Sequence, residues 1–193
     1  MNAKMKILIC AIAAIFAGST AIAAPKKAPE ATQAKSATPA FDPVASFQSV
    51  VSRGSESKEW THIYQNPKTG KWTKRYYFLG EVNYDVKKTD SLVSPIVGLV
   101  SFPIKIQFSP QFETEEEATN SNGMYIPLSM SYSVEGQYSV SNSAWKLDQF
   151  RYKDTGPDSM LRGSRYTMDE ARLKAERNAT ISVALLRFLP DAN

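Results

Sequence analysis

The sequence predicts an α+β fold, a single domain in which a curved antiparallel β-sheet of about five strands packs against an N-terminal and a C-terminal helix. Three observations predict this architecture. Most of the chain between residues 60 and 152 alternates apolar and polar side chains with the period of a strand. Helical apolar spacing occurs before and after that region, and short polar turns separate the predicted strands, as in antiparallel hairpins.

The first 24 residues have the pattern of a bacterial signal peptide. Lys4 and Lys6 precede an apolar run from Ile7 to Phe16, and Ala21-Ile22-Ala23 supplies the small residues of a cleavage site. We therefore expect cleavage after Ala23 or Ala24 and a periplasmic or secreted protein with no integral membrane segment. An uncleaved anchor is the alternative, but a membrane-spanning helix needs about 20 apolar residues and this run is shorter.

Cleavage of the signal peptide would change the composition of the chain. It would remove Cys10, the only cysteine, so the fold must be stable without a disulfide. It would also remove two of the 23 basic residues and none of the 19 acidic ones, which lowers the net charge from +4 to +2. So small a charge on an exported protein does not favour nucleic acid as a partner.

Residues 25–40 are predicted to be a flexible linker, and residues 41–193 a globular domain. The linker is rich in Ala, Pro, Lys and Thr and has no aromatic residue, so it cannot bury enough apolar surface to order itself. The first helix of the domain is predicted to begin after Asp42, with Pro43 at its first position, and to end at Gly54.

Two aromatic-rich strands are predicted next, at residues 60–65 and from residue 71 onward. The segment 66–70, Asn-Pro-Lys-Thr-Gly, is typical of a hairpin loop. Alternation continues to Lys87, which predicts one long second strand, and residues 88–91 are predicted to form a turn.

A third alternating strand is predicted at residues 96–108. Pro103 lacks a backbone donor, which indicates an edge position, a bulge or a local break at that point. The acidic stretch 113–117 and the polar residues after it predict a mobile surface loop. Calcium binding is the alternative there, but the loop lacks the residue spacing of a calcium site.

A second hairpin is predicted from residues 126–140 and 144–152. The apolar phase changes between Leu147 and Phe150, which indicates a bulge or a strand covered on both faces. Residues 167–170, Thr-Met-Asp-Glu, then have the spacing of a helix capping box. A continuous C-terminal helix is favoured from there, with a short strand near residues 181–185 as the alternative, and Leu186, Phe188 and Leu189 are expected in the core.

This order of layers is similar to the general plan of cystatin-like and nuclear-transport-factor-like folds. The similarity is an analogy of layers, because no motif of either family is present. It therefore implies no function.

Residues suited to common catalytic chemistry are scarce. His62 is the only histidine and lies between Trp60 and Tyr64 in a predicted strand, where a structural role is favoured over a general base. The chain has no Gly-x-Ser-x-Gly elbow, no phosphate-binding glycine loop and no zinc-ligand pattern. We therefore predict no metal, no cofactor and no enzyme. A small periplasmic hydrolase or isomerase that uses His62 or a carboxylate as its general acid or base is the alternative.

Aromatic and basic residues of the first hairpin are the candidate binding residues: Trp60, Tyr64, Trp72, Lys74 and Tyr76. Aromatic rings with interleaved cations suit a sugar or an acidic protein surface. The sequence therefore predicts an accessory protein that binds an envelope protein or a cell-wall glycan such as peptidoglycan. The alternative is that the rings stabilise the sheet itself through cross-strand pairs.

A second basic cluster precedes and enters the C-terminal helix. Its members are Arg162, Arg165, Arg172, Lys174 and Arg177. Because Glu170 and Glu176 balance part of this charge, we interpret the cluster as a solvated helix face.

Overall fold

The computed structural model describes residues 41–156 and 165–191. The predicted signal peptide and linker lie outside these residues. The elements, in chain order, are α1 (Pro43–Gly54), β1 (Glu59–Gln65), β2 (Trp72–Leu79), β3 (Asn83–Lys88), β4 (Ile96–Phe108), α2 (Glu115–Asn120), β5 (Ser129–Ser141), β6 (Ala144–Asp154), β7 (Arg165–Met168), α3 (Glu170–Ala175), α4 (Thr180–Leu185) and a 3₁₀ turn (Leu186–Phe188). The α+β class with one antiparallel sheet is confirmed, although the described residues form seven strands rather than about five.

The sheet has the order β1-β2-β4-β5-β6-β7, and all its neighbouring strands are antiparallel. β3 pairs with the first half of β4, from Ile96 to Ser101, and β2 pairs with the second half, from Ile104 to Phe108. β2 and β3 therefore lie end to end along the same side of β4.

The prediction of one long strand from residue 71 to residue 87 is wrong, because the strand breaks opposite Pro103. The Gly80 N–H donates to the Pro103 carbonyl at 2.9 Å. The backbone N and C=O of a strand residue point to the same neighbouring strand, so the donor that proline lacks would have faced this side of β4. The ladder is interrupted there, and β3 begins at Asn83. Pro103 therefore coincides with a break in the neighbouring strand, whereas β4 itself continues from Ile96 to Phe108 inside the sheet.

One face of the sheet, called here the inner face, packs against α1, α3, α4 and the 3₁₀ turn. The other is called the outer face. Buried side chains of the sheet and helices meet at the inner face in one core cluster, which includes Phe47, Tyr77, Val100, Ile104, Ile106, Val134, Tyr138, Phe150, Leu185 and Phe188. Burying a large apolar side chain contributes about 1.5–3 kcal/mol, so this layer is the main source of stability.

Several local predictions are confirmed. α1 begins at Pro43, and the Asp42 carboxylate accepts hydrogen bonds from the N–H groups of Val44 and Ala45. The loop between β1 and β2 closes with a hydrogen bond from Gly70 to Asn66. The pairing of β5 with β6 shifts register beside Tyr138, which is the predicted bulge.

The acidic segment forms a helix, so the prediction of a mobile loop is wrong. The Thr114 hydroxyl accepts from the N–H of Glu117, and the Glu117 carboxylate accepts from the N–H of Thr114, which is a complete capping box. Three glutamates in the first turn also interact favourably with the helix dipole. Ala118 is fully buried, and α2 packs on β1 and β2 from the outer face.

The prediction of a continuous C-terminal helix is wrong, and so is the alternative of a short strand. Thr167 belongs to β7, and Asp169 caps α3 instead. The chain then leaves the helix and starts α4 at Thr180. Between the two helices, the Asn178 carbonyl accepts a hydrogen bond from Arg75 at 2.8 Å. Because Arg75 of β2 supplies this donor, the Asn178 carbonyl does not need a hydrogen bond within a helix. Phe188 and Leu189 are buried as predicted, and Leu186 is half-buried.

Candidate functional site

The structure divides the five predicted binding residues between the two faces of the sheet. Trp60 and Tyr64 point to the inner face, because Trp60 pairs with the core residue Tyr77 and alternation places Tyr64 on the same side. Trp72, Lys74 and Tyr76 point to the outer face. The five side chains therefore do not form one surface.

On the outer face, Lys74 and Tyr76 are buried beneath α2. The Lys74 ammonium donates to the carbonyl of Thr119 and to Oδ1 of Asn122, both at 2.7 Å. The Tyr76 hydroxyl donates to the Ser121 carbonyl at 2.6 Å. Only 6% of Lys74 and 7% of Tyr76 is exposed. Both side chains satisfy backbone groups at the end of α2 and fix this helix to the sheet.

Trp72 lies at the start of β2 and is half-buried. Its backbone exchanges two hydrogen bonds with Phe112, each 2.8 Å long, so it joins the approach to α2 to the sheet. Its position is therefore set by the same contact that places α2.

On the inner face, Trp60 and Tyr64 are each paired with a cation of this chain. Trp60 stacks on Tyr77 with ring centroids 5.1 Å apart, and the Arg187 guanidinium lies 4.2 Å from the Trp60 ring. The Arg75 guanidinium lies 3.9 Å from the Tyr64 ring. These aromatic and basic groups interact with one another inside the domain. Their binding of an external partner stays a prediction.

His62 lies between these two aromatic residues on the inner face. Burial, followed by the nearby Arg75 guanidinium, lowers its pKa, so the imidazole is neutral at pH 7. Its Nδ1 is buried and has no hydrogen-bond partner among residues 41–156 and 165–191. A general base is normally oriented by such a partner, and the described residues supply none to Nδ1 of His62.

The second basic cluster of the sequence separates in the fold. On α3, Arg172 pairs with Glu176 at 2.9 Å, and Lys174 pairs with Glu170 and Asp191. Arg165 lies on β7, and Arg162 is outside the described residues. The interpretation as one solvated helix face thus applies only to the α3 members.

A cleft lined by tyrosines lies at the inner face, where the sheet extends past the start of α4. We name it the tyrosine cleft. It has a volume of about 330 Å³, and its lining includes Met130, Tyr132, Tyr152, Asp154, Tyr166 and Ile181. Ligand sites usually occupy concave pockets of about 300–1,000 Å³ with apolar walls and a few polar groups. The cleft has this composition.

The rings come from three neighbouring strands that the sheet register brings together. Tyr152 of β6 lies directly opposite Tyr166 of β7, and their rings stack with centroids 5.3 Å apart. Tyr132 of β5 meets Tyr152 edge to face at 5.8 Å. Tyr166 is 41% exposed, while the other two rings are half-buried. The three rings therefore form a row, and the ring of Tyr166 at its end is partly exposed.

Two polar side chains of the tyrosine cleft supply an acceptor and a donor. Asp154 pairs with Tyr132 across the strands, and its Oδ1 accepts from the N–H of Gly156 at 2.8 Å. No other donor from the described parts of the chain reaches this carboxylate, so its second oxygen can accept from a ligand. The hydroxyl of Tyr152 can donate, and burial raises its pKa from a usual value that already lies well above pH 7.

The sequence contained part of the signal for this cleft. Alternation places Tyr132 on the inner face of its strand, and the predicted hairpin includes Tyr152. The short strand that carries Tyr166 was not predicted, and neither was the point where the helices stop covering the inner face. Both depend on contacts between residues that are far apart in the sequence.

Comparisons with known proteins give no relative from which a function can be transferred. No protein-family model, curated protein or solved structure matches this chain. Within the described residues, no helix is long and apolar enough to cross a membrane. Those residues also contain no group of three His, Cys, Asp or Glu side chains arranged to hold a metal ion.

Proposed function

We propose that this chain is an exported accessory protein of the bacterial cell envelope that binds a cell-wall glycan in the tyrosine cleft. The leader sequence supports export, because its charged start, apolar core and small residues match a signal peptide. The observation that carries the binding proposal is the row of three tyrosines beside a carboxylate in one cleft.

A sugar ring complements these groups. Its C–H faces are apolar and its rim carries hydroxyl groups, so it can lie on a tyrosine ring while its edge forms hydrogen bonds. The ring of Tyr166 is accessible for such stacking. Asp154 supplies an acceptor and Tyr152 a donor, which are the two partners that a hydroxyl group needs.

The site therefore differs from the surface that the sequence predicts. The first hairpin uses its rings and cations to hold the sheet, α2 and Arg187 together. The tyrosine cleft has rings of the same kind, and Tyr166 at its outer end is 41% exposed. The kind of ligand that the sequence indicates is retained, and its site moves to β5, β6 and β7.

Titration of the purified mature protein with soluble peptidoglycan fragments tests this proposal. Tyr166→Ala should weaken binding about tenfold, which corresponds to about 1.4 kcal/mol of lost ring contact. Tyr84→Ala is the matched control, because Tyr84 is also 41% exposed but lies outside the cleft. Equal affinities of the two variants, or no saturable binding of any fragment, would contradict the proposal.

The same samples distinguish binding from catalysis. A binding protein returns the fragments with unchanged masses after prolonged incubation, whereas a hydrolase returns shorter ones. Cleavage that Asp154→Asn abolishes would support the enzyme alternative and locate its general acid or base in this cleft. Export is tested separately, by recovery of the processed chain from the periplasm or the medium.

A further inference from the structure

Three exposed cations meet on the outer face where β6 pairs with β7. We name them the cationic patch: Arg151, Lys153 and Arg165. Lys153 lies directly opposite Arg165 in the register. Arg151 is two residues before Lys153 on the same strand, so the three side chains share one face. The sequence does not reveal this patch, since Arg165 is distant from the other two along the chain.

No acidic side chain of the described residues forms an ion pair with a cation of the patch. Like charges directly opposite each other destabilise an antiparallel pair, and Lys153 and Arg165 are such a pair. No carboxylate oxygen from the described residues comes within 4.0 Å of any of the three cations, in contrast to the paired Arg172 and Lys174 of α3. Glu135 lies opposite Arg151 without forming an ion pair. A net positive charge therefore remains.

The cations surround a shallow depression of about 170 Å³. Its lining comprises Ser133, Glu135, Arg151, Tyr152, Lys153 and Arg165. Ser133 lies between Pro103 and Lys153 in the sheet, and its short side chain leaves room above the strand. The depression thus combines two guanidinium groups, one ammonium and one hydroxyl as hydrogen-bond donors. The single carboxylate of the lining, that of Glu135, offsets only one of the three positive charges.

This set of donors suits a phosphate group. A guanidinium binds two phosphate oxygens at once, and an ammonium adds a compact charge. A bound phosphate would also relieve the repulsion between Lys153 and Arg165. Among the described residues, the lining offers no aliphatic side chain that could enter a membrane, so the site favours a soluble phosphorylated ligand over a lipid headgroup.

We propose that the cationic patch binds the phosphate groups of a soluble phosphorylated ligand. This site is on the opposite face of the sheet from the tyrosine cleft and does not depend on the proposed glycan binding. Either site can fail its test without affecting the other.

Pyrophosphate is the probe, measured by calorimetry and by backbone amide shifts in NMR at constant ionic strength. We expect saturable binding with shifts concentrated on the three cations. The variant R151Q/K153Q/R165Q should bind at least about tenfold more weakly, since it loses three charge-assisted contacts. The control K68Q/K88Q/K146Q carries the same change in charge on exposed residues elsewhere. Its affinity should stay within about twofold of the parent.

A thermal measurement keeps the test independent of the folding of the triple variant. Pyrophosphate should raise the unfolding temperature of the parent and of the control but leave that of the folded patch variant unchanged. Equal loss of affinity in the two triple variants would overturn the proposal, as would an absence of saturable binding. Binding only to phosphatidylglycerol vesicles, without binding of pyrophosphate, would also overturn it and indicate a membrane surface instead.

Discussion

Replacing Tyr76 by Phe tests how α2 is held on the outer face of the sheet. The substitution keeps the ring and removes only the hydroxyl, which donates a 2.6 Å hydrogen bond to the Ser121 carbonyl. Both residues are buried, at 7% and 3% exposure. A buried acceptor that loses its donor costs about 1–3 kcal/mol. For a domain of this size, each kcal/mol lowers the unfolding temperature by about 2–4 °C.

Chemical denaturation followed by tryptophan fluorescence measures this effect. Tyr125→Phe is the control, because Tyr125 contacts the Tyr76 ring but is 47% exposed and its hydroxyl has no hydrogen bond with the described residues. Its free energy of unfolding should stay within about 0.5 kcal/mol of the parent. If Tyr76→Phe is as neutral as Tyr125→Phe, the Ser121 carbonyl has another partner and the reasoning about α2 is refuted.

Two further predictions concern the core and the single histidine. In Gly136→Ala, the new Cβ would lie 2.7 Å from side-chain atoms of Phe150 and Val100. Such overpacking should lower the free energy of unfolding by about 1–3 kcal/mol in chemical denaturation. The control Gln137→Ala should change it little. The imidazole of His62 should titrate below its usual value of 6.5 in NMR, because burial lowers its pKa. The neutral imidazole contributes fully to the free energy of unfolding above pH 6.5. This contribution falls as the pH drops toward the folded-state pKa, because the unfolded chain binds the proton at a higher pH than the folded chain does. Unchanged stability of Gly136→Ala, or a midpoint at or above 6.5, would contradict the respective argument.

The elements that follow local rules were predictable from the sequence. Asp42 and Pro43 start α1 by satisfying the free amides of its first turn, and no distant contact is needed. The strands at residues 96–108 and 129–141 alternate clearly because one face is core and the other meets water. In these cases, local preference and tertiary packing favour the same structure.

The missed elements have different physical causes. The capping box of Thr114 and Glu117 is a local signal, but the polar composition of the segment favoured a loop, and α2 gains its stability from docking on Lys74 and Tyr76. The break opposite Pro103 requires knowledge of which neighbour its missing donor faces. The end of α3 involves the contact between Arg75 and Asn178, which are far apart in the sequence.

The sequence predicts recognition through aromatic residues, but it does not locate the tyrosine cleft. Spacing shows that Trp72 and Tyr76 share a face of their strand, but it cannot show that α2 covers Tyr76. The tyrosine cleft needs three strands in register, and its outermost ring comes from Tyr166 on a strand of four residues. Composition therefore indicated aromatic recognition, while the position of the rings depends on long-range pairing.

The measurement that tests the proposed function most directly is an NMR titration of the protein with a disaccharide fragment of peptidoglycan, observed at the tyrosine rings. We predict nuclear Overhauser effects between sugar ring protons and the rings of Tyr152 and Tyr166, together with upfield shifts of those sugar protons. Saturable binding with contacts only to residues outside the tyrosine cleft, or no contact at all, would contradict glycan recognition at this site.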